Sequence, residues 1–323
     1  MAKPLSDELA DTPTVKETRA DKLLIRNLER TIEELERQLH DTRMAKFVLP
    51  TGPRKKKKGK RRGHCCVIVP DSHGSLIDPA ACAAFLDDLE QIKPAEIVML
   101  GDHLDCGGFL AQHHTLGYVA QSEYTFAEDV SAANQFLDAI QERAPEAEIH
   151  YIMGNHERRV GAWIVTQTLR NNADARYLES MFAPEIVLHL KERGIKFYSQ
   201  GVTYGGRTVP AILKLDNRNF MHGEFTGKNA AKQHVDEFVC NITFGHTHRA
   251  DSYTRRTVDD TFSAFNPGCL CKLQQYYNHS RLTHHTHGYG IQSVGDEHSF
   301  LQFNVPIIDG KSYLQPLAAQ LGG

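Results

Sequence analysis

From His64 onward the chain alternates short apolar runs with polar clusters. Cys65–Pro70 (CCVIVP), Glu96–Leu100 (EIVML), Glu148–Met153 (EIHYIM), Asn219–Met221 (NFM) and Asn241–Phe244 (NITF) each read as a strand. Each run leads directly into a polar cluster: DSH from Asp71, GDHLD from Gly101, GNHE from Gly154, HGE from His222 and GHTH from Gly245. Between the first two clusters, Asp78 as cap and Pro79 at the first helical position predict a helix. A second amphipathic helix is expected from about Glu123 to Arg143, and Lys228 and Lys232 lie on a further helical stretch. Asn266-Pro267-Gly268 reads as a turn. Strand–helix alternation predicts an α/β fold with its polar clusters at the carboxyl ends of strands, where open α/β sheets bind ligands.

The N-terminal part has a different texture. Residues 1–20 are polar, carry Pro4 and Pro13, show no apolar period and read as a disordered tail. Over 21–49 the pattern turns helical: Ile25, Leu28, Ile32, Leu35 and Leu39 recur at steps of three and four. This amphipathic helix either packs on the α/β domain that follows it or forms a coiled coil that makes a homo-oligomer. Residues 50–63 form a basic linker whose core, Arg54–Arg62 (RKKKKGKRR), cannot bury its charge. The α/β domain is expected over 64–323.

Charge sharpens this division. The net charge is −3, yet the linker alone holds eight positive residues, so the rest of the chain is distinctly acidic. Clustered Lys and Arg displace counterions from phosphates, which makes nucleic acid a candidate partner. No apolar run approaches the roughly 18 residues of a membrane span, and the charged start lacks an apolar leader segment; the expectation is a cytoplasmic protein. Seven cysteines without paired CxxC blocks predict free, mostly buried thiols rather than a zinc ribbon.

Histidine changes the picture more. Eighteen are present, several beside Asp and Gly. Asp71 and His73, two apart in an extended segment, point the same way and can reach one ion; His246 and His248 repeat this spacing. Asp102 is placed to bridge two cations, and Asn155 offers a neutral oxygen. Gly101, Gly154 and Gly245 precede the ligands where the backbone must turn sharply.

In this order, DSH, GDHLD, GNHE, HG and GHTH resemble the calcineurin-like metallophosphoesterase superfamily over about Val67 to Arg249. The resemblance implies an α/β four-layer sandwich of two mixed sheets flanked by helices, here preceded by the N-terminal helix. It implies a first metal on Asp71, His73 and His248, a second on Asn155, His222 and His246, and Asp102 between them. It further implies a hydroxide nucleophile between ions about 4 Å apart. His156 would face the substrate and serve the leaving oxygen, oriented by Asp105 or by Glu157. Mn²⁺ is the expected metal, with Fe²⁺, Zn²⁺ and Mg²⁺ as alternatives. Arg158, Arg159 and Lys228 are candidates for the substrate phosphate, against solvated surface charge. His284, His285 and His287 read as a mobile, solvated loop rather than a third metal site, since no carboxylate accompanies them.

The superfamily spans several substrate classes. Cys106 follows Asp105, and Met153-Gly154 precede Asn155, where protein phosphatases of the superfamily usually carry arginine; that reading therefore falls behind. The stretch from His222 to Arg249 is similar to bacteriophage and prophage metallophosphoesterases. With the basic run, this favours a nucleic-acid phosphodiesterase of DNA nuclease type in a bacterial or phage-infected cell. The alternatives are a small-molecule phosphodiesterase or phosphomonoesterase and a catalytically silent binding module.

Overall fold

The computed structural model describes Arg30 and residues 63–107, 125–167, 172–199, 202–204, 207–209, 211–274, 282–295 and 299–314. The expectations for the tail, the N-terminal helix and the basic linker therefore lie outside the described residues, Arg30 excepted. By its contacts the chain divides into two units, Met1–Pro50 and Thr51–Gly323.

The first run becomes strand β1 (His64–Val69), and its alternating side chains explain why it is apolar throughout. Val67 and Val69 join one cluster with Phe85, Leu89, Phe136 and Ile140 from two helices. Cys66 and Ile68 enter another with Leu213 and Phe220 from a second sheet. Both faces of β1 are thus covered, which is the condition for a continuous apolar strand. Parallel to it run β2 (Glu96–Met99), β3 (Glu148–Ile152) and β4 (Lys196–Tyr198), in that order outward.

Helix α1 (Pro79–Ile92) starts where Asp78 accepts hydrogen bonds from the N–H groups of Ala80 and Ala81, and ends at Lys93 in the left-handed region before Pro94. It buries Ala81, Phe85, Asp88 and Leu89, one face of the helical period. Helix α2 spans Phe126–Arg143, capped by Thr125, so it begins close to its expected start. Next come α3 (Arg158–Gln167), α4 (Asn172–Met181) and the single turn α5 (Pro184–Val187).

The second sheet follows two short strands, β5 (Val202–Tyr204) and β6 (Arg207–Val209), which pair only with each other among the described residues. Its strands are β7 (Ile212–Leu215), β8 (Arg218–Met221), β9 (Ile242–Phe244), β10 (Ala250–Arg256) and β11 (Thr261–Pro267), in the order β10-β11-β9-β8-β7. Helix α6 (Ala230–Phe238) lies between β8 and β9 in the chain and packs its Ala231 and Val235 with Phe244 and Ala264 of this sheet. The chain then returns to the first sheet through β12 (Gly288–Val294), β13 (Phe300–Ile308) and β14 (Lys311–Ser312), all antiparallel to their neighbours. The first sheet therefore reads β14-β13-β12-β1-β2-β3-β4, and both sheets are mixed.

Arg218, only 2 % exposed, ties the two sheets by donating to Gln292 and Glu96 at 3.1 Å each. The seven cysteines are free, four of them buried, as expected from their spacing. No described helix is long and apolar enough to cross a membrane. Asn266 and Pro267 are not a turn but the end of β11, and Gly268 follows with a φ of 103°, outside the ordinary L-residue range.

Candidate functional site

The carboxyl ends of β1, β2, β3, β8 and β9 meet, and each delivers one polar cluster. The first two are joined through their backbones. Ser72 and His73 donate N–H bonds to the Asp102 carbonyl at 3.2 and 2.9 Å, and Gly74 donates to the His103 carbonyl at 2.9 Å. Four of the expected ligands, His73, Asp102, His246 and His248, have φ between 52° and 68°. Non-glycine residues in the left-handed region cost roughly 1–2 kcal/mol each and persist only where the surroundings hold them.

Two buried carboxylates supply that hold. Glu157, 2 % exposed, accepts from the N–H groups of Asp102 (3.1 Å), His103 (2.8 Å), Leu104 (3.3 Å) and Gly154 (3.0 Å), and from the Tyr151 hydroxyl at 2.7 Å. Asp129, brought by the first turn of α2, accepts from the N–H groups of Ser75, Asp105 and Cys106. A third anchor, the fully buried Asn266, donates to the Gly245 carbonyl at 2.7 Å and to the Thr247 hydroxyl at 2.9 Å, pinning the GHTH turn. Close approach of the loops also needs glycine: a Cβ on Gly154 would overlap the Asp102 carboxylate.

All seven expected ligands come together. His222 Nδ1 donates to the Leu100 carbonyl at 3.0 Å, which turns Nε2 into the site. Nε2 faces Asn155 Oδ1 at 2.8 Å, Asp102 Oδ2 at 3.1 Å and His246 Nδ1 at 3.1 Å. On the other side, His73 Nδ1 bonds Asp105 at 2.9 Å, so its Nε2 lone pair faces His248 Nε2 at 3.0 Å. Asp71 Oδ2 lies 3.1 Å from the same His248 nitrogen, and Asp71 also accepts from the His246 N–H. Ligand atoms of Asp71, His73 and Asp102 lie within 4.8 Å of one another, as do those of Asp102, His222 and His246. Asp102 thus belongs to both groups.

This arrangement fits cations. Side-chain nitrogen and oxygen atoms converge at about 3 Å, the separation of neighbouring ligands about 2.0–2.1 Å from a shared ion, and a cation can take the place of the protons that His222 and His248 hold there. The electrostatics agree. Burial pushes the His222 imidazole down, but the Asp102 carboxylate outweighs this and lifts it to about 9. Burial pushes the Asp71 carboxyl up, yet the His248 hydrogen bond and the charges of His222 and His248 hold it down at about 2. The surplus negative potential calls for positive charge, which divalent ions answer with more charge than two imidazolium protons.

Asp105 reaches His156 through two of its oxygens. His156 Nδ1 donates to the Asp105 backbone carbonyl at 2.7 Å and lies 3.2 Å from its carboxylate, whose shorter bond is to His73. Glu157 instead clamps the backbone of Asp102, His103, Leu104 and Gly154. Arg159 donates to the Asp105 carbonyl at 2.9 Å and caps His156 Nε2, so it belongs to the wall of the site. Arg158 lines a separate pocket of about 210 Å³ that also carries Glu157, Glu179 and Glu185. Lys228 is exposed beside His246, whereas Lys232 pairs with Asp236 on the surface of α6.

The histidines of residues 284–287 do not behave as one solvated group. His285 packs edge-on against His248 at 4.6 Å, and its Nδ1 is buried without a protein partner. His287 bonds the Cys271 carbonyl at 2.8 Å; only His284 is exposed. His103 is a packing residue: its Nδ1 pairs with the Ser72 hydroxyl at 2.8 Å and its ring meets Tyr151 and Phe136, with burial pushing it down to about 3. Asp129 and Asn266 went unseen in the sequence because each acts from a distant segment through backbone, with no motif of its own. Cys271, 3.8 Å from His248 Nδ1, is a further unforeseen neighbour.

The chain belongs to the calcineurin-like phosphoesterase family (Metallophos), whose pattern it matches over residues 66–289. The family and the side-chain groups together indicate a phosphoester hydrolase class with a binuclear divalent-metal centre. No curated protein sequence matches the chain significantly. Among solved structures it is similar to vacuolar protein sorting 29 from Cryptosporidium parvum, with 12% identity, TM-score 0.38 and coverage of 78% of this chain and 95% of that one. It is also similar to Yfce, a phosphoesterase from E. coli, with 13% identity, TM-score 0.33 and coverage of 74% and 98%. Chaetomium thermophilum Vps29 gives 11% identity, TM-score 0.34 and coverage of 78% and 93%.

Proposed function

We propose that the protein is a two-metal phosphodiesterase acting on nucleic acid, with Mn²⁺ as its working metal. The observation that carries the two-metal reading is the pair of converging buried ligand groups that share Asp102. His73, His248 and Asp71 would hold one ion, and His222, His246 and Asn155 the other. Bound divalent ions supply Lewis acidity, which acidifies water and offsets charge on the phosphoryl oxygens. Everything else falls to the chain's own groups.

Asp102 and Asp71 set the negative field that retains the ions. Asp105 fixes the His73 ring through Nδ1, and its carbonyl fixes His156 in the Nδ1–H form. Nε2 of His156, which accepts from Arg159, serves the leaving oxygen by taking up a proton from solvent in place of that contact and handing it on. Arg159, already anchored on the Asp105 carbonyl, offers its guanidinium to a phosphate oxygen. The basic run Arg54–Arg62 supports nucleic acid over a small ester, because an otherwise acidic chain has a use for it as an electrostatic tether.

The test is an assay of the protein and its His156→Ala variant with added Mn²⁺ on a chromogenic phosphodiester, the matching monoester, and labelled single- and double-stranded DNA. Diester and DNA cleavage that drops by about two to four orders of magnitude in the variant is the expected result. Turnover of the monoester alone would replace this reading with a phosphatase. No turnover on any substrate, with metal shown to be bound, would leave a binding module.

A further inference from the structure

A pocket of about 420 Å³ opens directly beside the candidate metal centre, and its composition is unlike the rest of the chain. His246, whose Nδ1 faces His222 at 3.1 Å, forms part of its lining. Lys228 and Arg249 wall one side and His284 and His285 the other. No carboxylate is among its lining residues, although the chain carries 40 Asp and Glu against 37 Lys and Arg. The pocket beside Arg158, by contrast, takes three glutamates into its lining.

Both sides of the pocket wall are held in place. Arg249 donates from Nη2 to the Thr226 and Gly227 carbonyls at 2.9 and 2.7 Å, which fixes the turn that carries Lys228. Facing it, His285 stands against His248, so its place is set by the candidate metal centre itself. A third metal ion does not suit this pocket: no carboxylate lines it, and His287 is committed to the Cys271 carbonyl. An anion does suit it, since Lys228 and Arg249 are permanent charges and the His284 and His285 rings add N–H donors.

We infer that this pocket is a second phosphate subsite, which holds the phosphate next to the scissile one in an oligonucleotide. This rests on the phosphodiesterase reading and adds to it where the neighbouring nucleotide goes. A volume of about 420 Å³ lies in the range of sites for nucleotide-sized ligands. Phosphate contacts of this kind position a strand without reading its bases, so the subsite confers a preference for chain length rather than sequence.

The experiment uses the full chain and two dithymidine substrates, each with one scissile diester, of which one carries an added terminal phosphate. The wild type should favour the phosphorylated substrate about tenfold in kcat/KM, the worth of one well-placed charge-assisted contact. In a Lys228→Gln, His284→Gln double variant that ratio should fall below about twofold, while Lys228→Arg, which keeps the charge, should retain it. Arg249 is left intact because it also anchors the turn. A wild type without the preference, or a ratio that survives the double substitution, overturns the subsite. If no diester is cleaved, the phosphodiesterase reading fails on its own. The subsite is then decided by the binding of fluorescent dithymidine, with and without the added phosphate, in Ca²⁺. A phosphate-dependent difference lost in the double variant sustains it, and one that persists sinks it.

Discussion

Around Asp102 and Asp105, successive backbone N–H groups have a buried carboxylate to bond, whereas the pocket at Lys228 is walled by side chains that reach into solvent. Glu157 and Asp129 between them accept from seven backbone N–H groups, those of Ser75, Asp102, His103, Leu104, Asp105, Cys106 and Gly154. The Lys228 turn has two carbonyls on Arg249 and little else of that kind. The difference separates two tasks. Holding ions needs ligands fixed to a fraction of an ångström, so the loops are clamped and even left-handed φ values are sustained. Choosing among substrates needs charge in roughly the right place, which exposed Lys and His supply without a rigid frame.

The comparison breaks most visibly at its rigid end. Asp102→Asn removes the shared carboxylate but keeps the shape of the loop, because the Glu157 bonds to the backbone remain. Activity should fall by about a thousandfold or more, while the metal-free protein keeps most of its stability. Glu157→Gln should lose both. Its amide must turn N–H donors toward backbone N–H groups, leaving several buried donors unsatisfied at about 1–3 kcal/mol each. Paired measurements of turnover and of urea midpoint in EDTA check this. Equal stability losses in the two variants would mean that Glu157 is no clamp.

Asn266→Ala comes next. It removes the bonds to the Gly245 carbonyl and the Thr247 hydroxyl, and Oδ1 also accepts from Gly268 N–H at 2.9 Å. Since none of these atoms is a candidate ligand, the effect passes through the positions of His246 and His248. Metal affinity should fall by about 10–100-fold, as for groups that orient metal ligands. Titration with Mn²⁺ reads this directly, and unchanged affinity would show that the GHTH turn holds itself.

Much of this was legible in the sequence, for physical reasons that vary by residue. The five strands that carry the clusters were readable because both-face burial leaves a run such as CCVIVP wholly apolar. The helix at Pro79 was readable because Asp78 and Pro79 are its own start signals. The expected ligand set came from the family resemblance that the five motifs carry, one motif per strand end. Strands β10–β14 were not anticipated: β10, ADSYTRR, alternates exposed with half-buried positions, buries none fully, and so shows no apolar run or motif. Asp129 and Asn266 were invisible because a lone polar residue in a helix or strand looks the same whether it faces solvent or a distant amide. The left-handed ligands ran against local expectation, since four positions with positive φ hold His or Asp where glycine would be the ordinary choice.

The last test concerns the one buried anchor beneath the pocket's turn. His234, fully buried on α6, donates from Nδ1 to the Ala230 carbonyl at 2.8 Å and accepts at Nε2 from the Glu224 N–H at 3.1 Å. Its ring stacks on Phe244 at 4.0 Å, and burial pushes it down to about 4 from an ordinary 6.5. With the folded value depressed, the unfolded chain binds the proton more readily between pH 6.5 and 4. The neutral ring's contribution is therefore fully present above pH 6.5 and is lost as pH falls toward 4. From pH 7.5 to 5 this loss should amount to about 2 kcal/mol. His234→Gln can accept from the same N–H but does not titrate. It should be less stable at neutral pH, yet its urea midpoint should change less over that window than the wild type's. Parallel pH profiles would mean that the Lys228 turn has no titrating anchor, and that the softer side of the site rests on Arg249 alone.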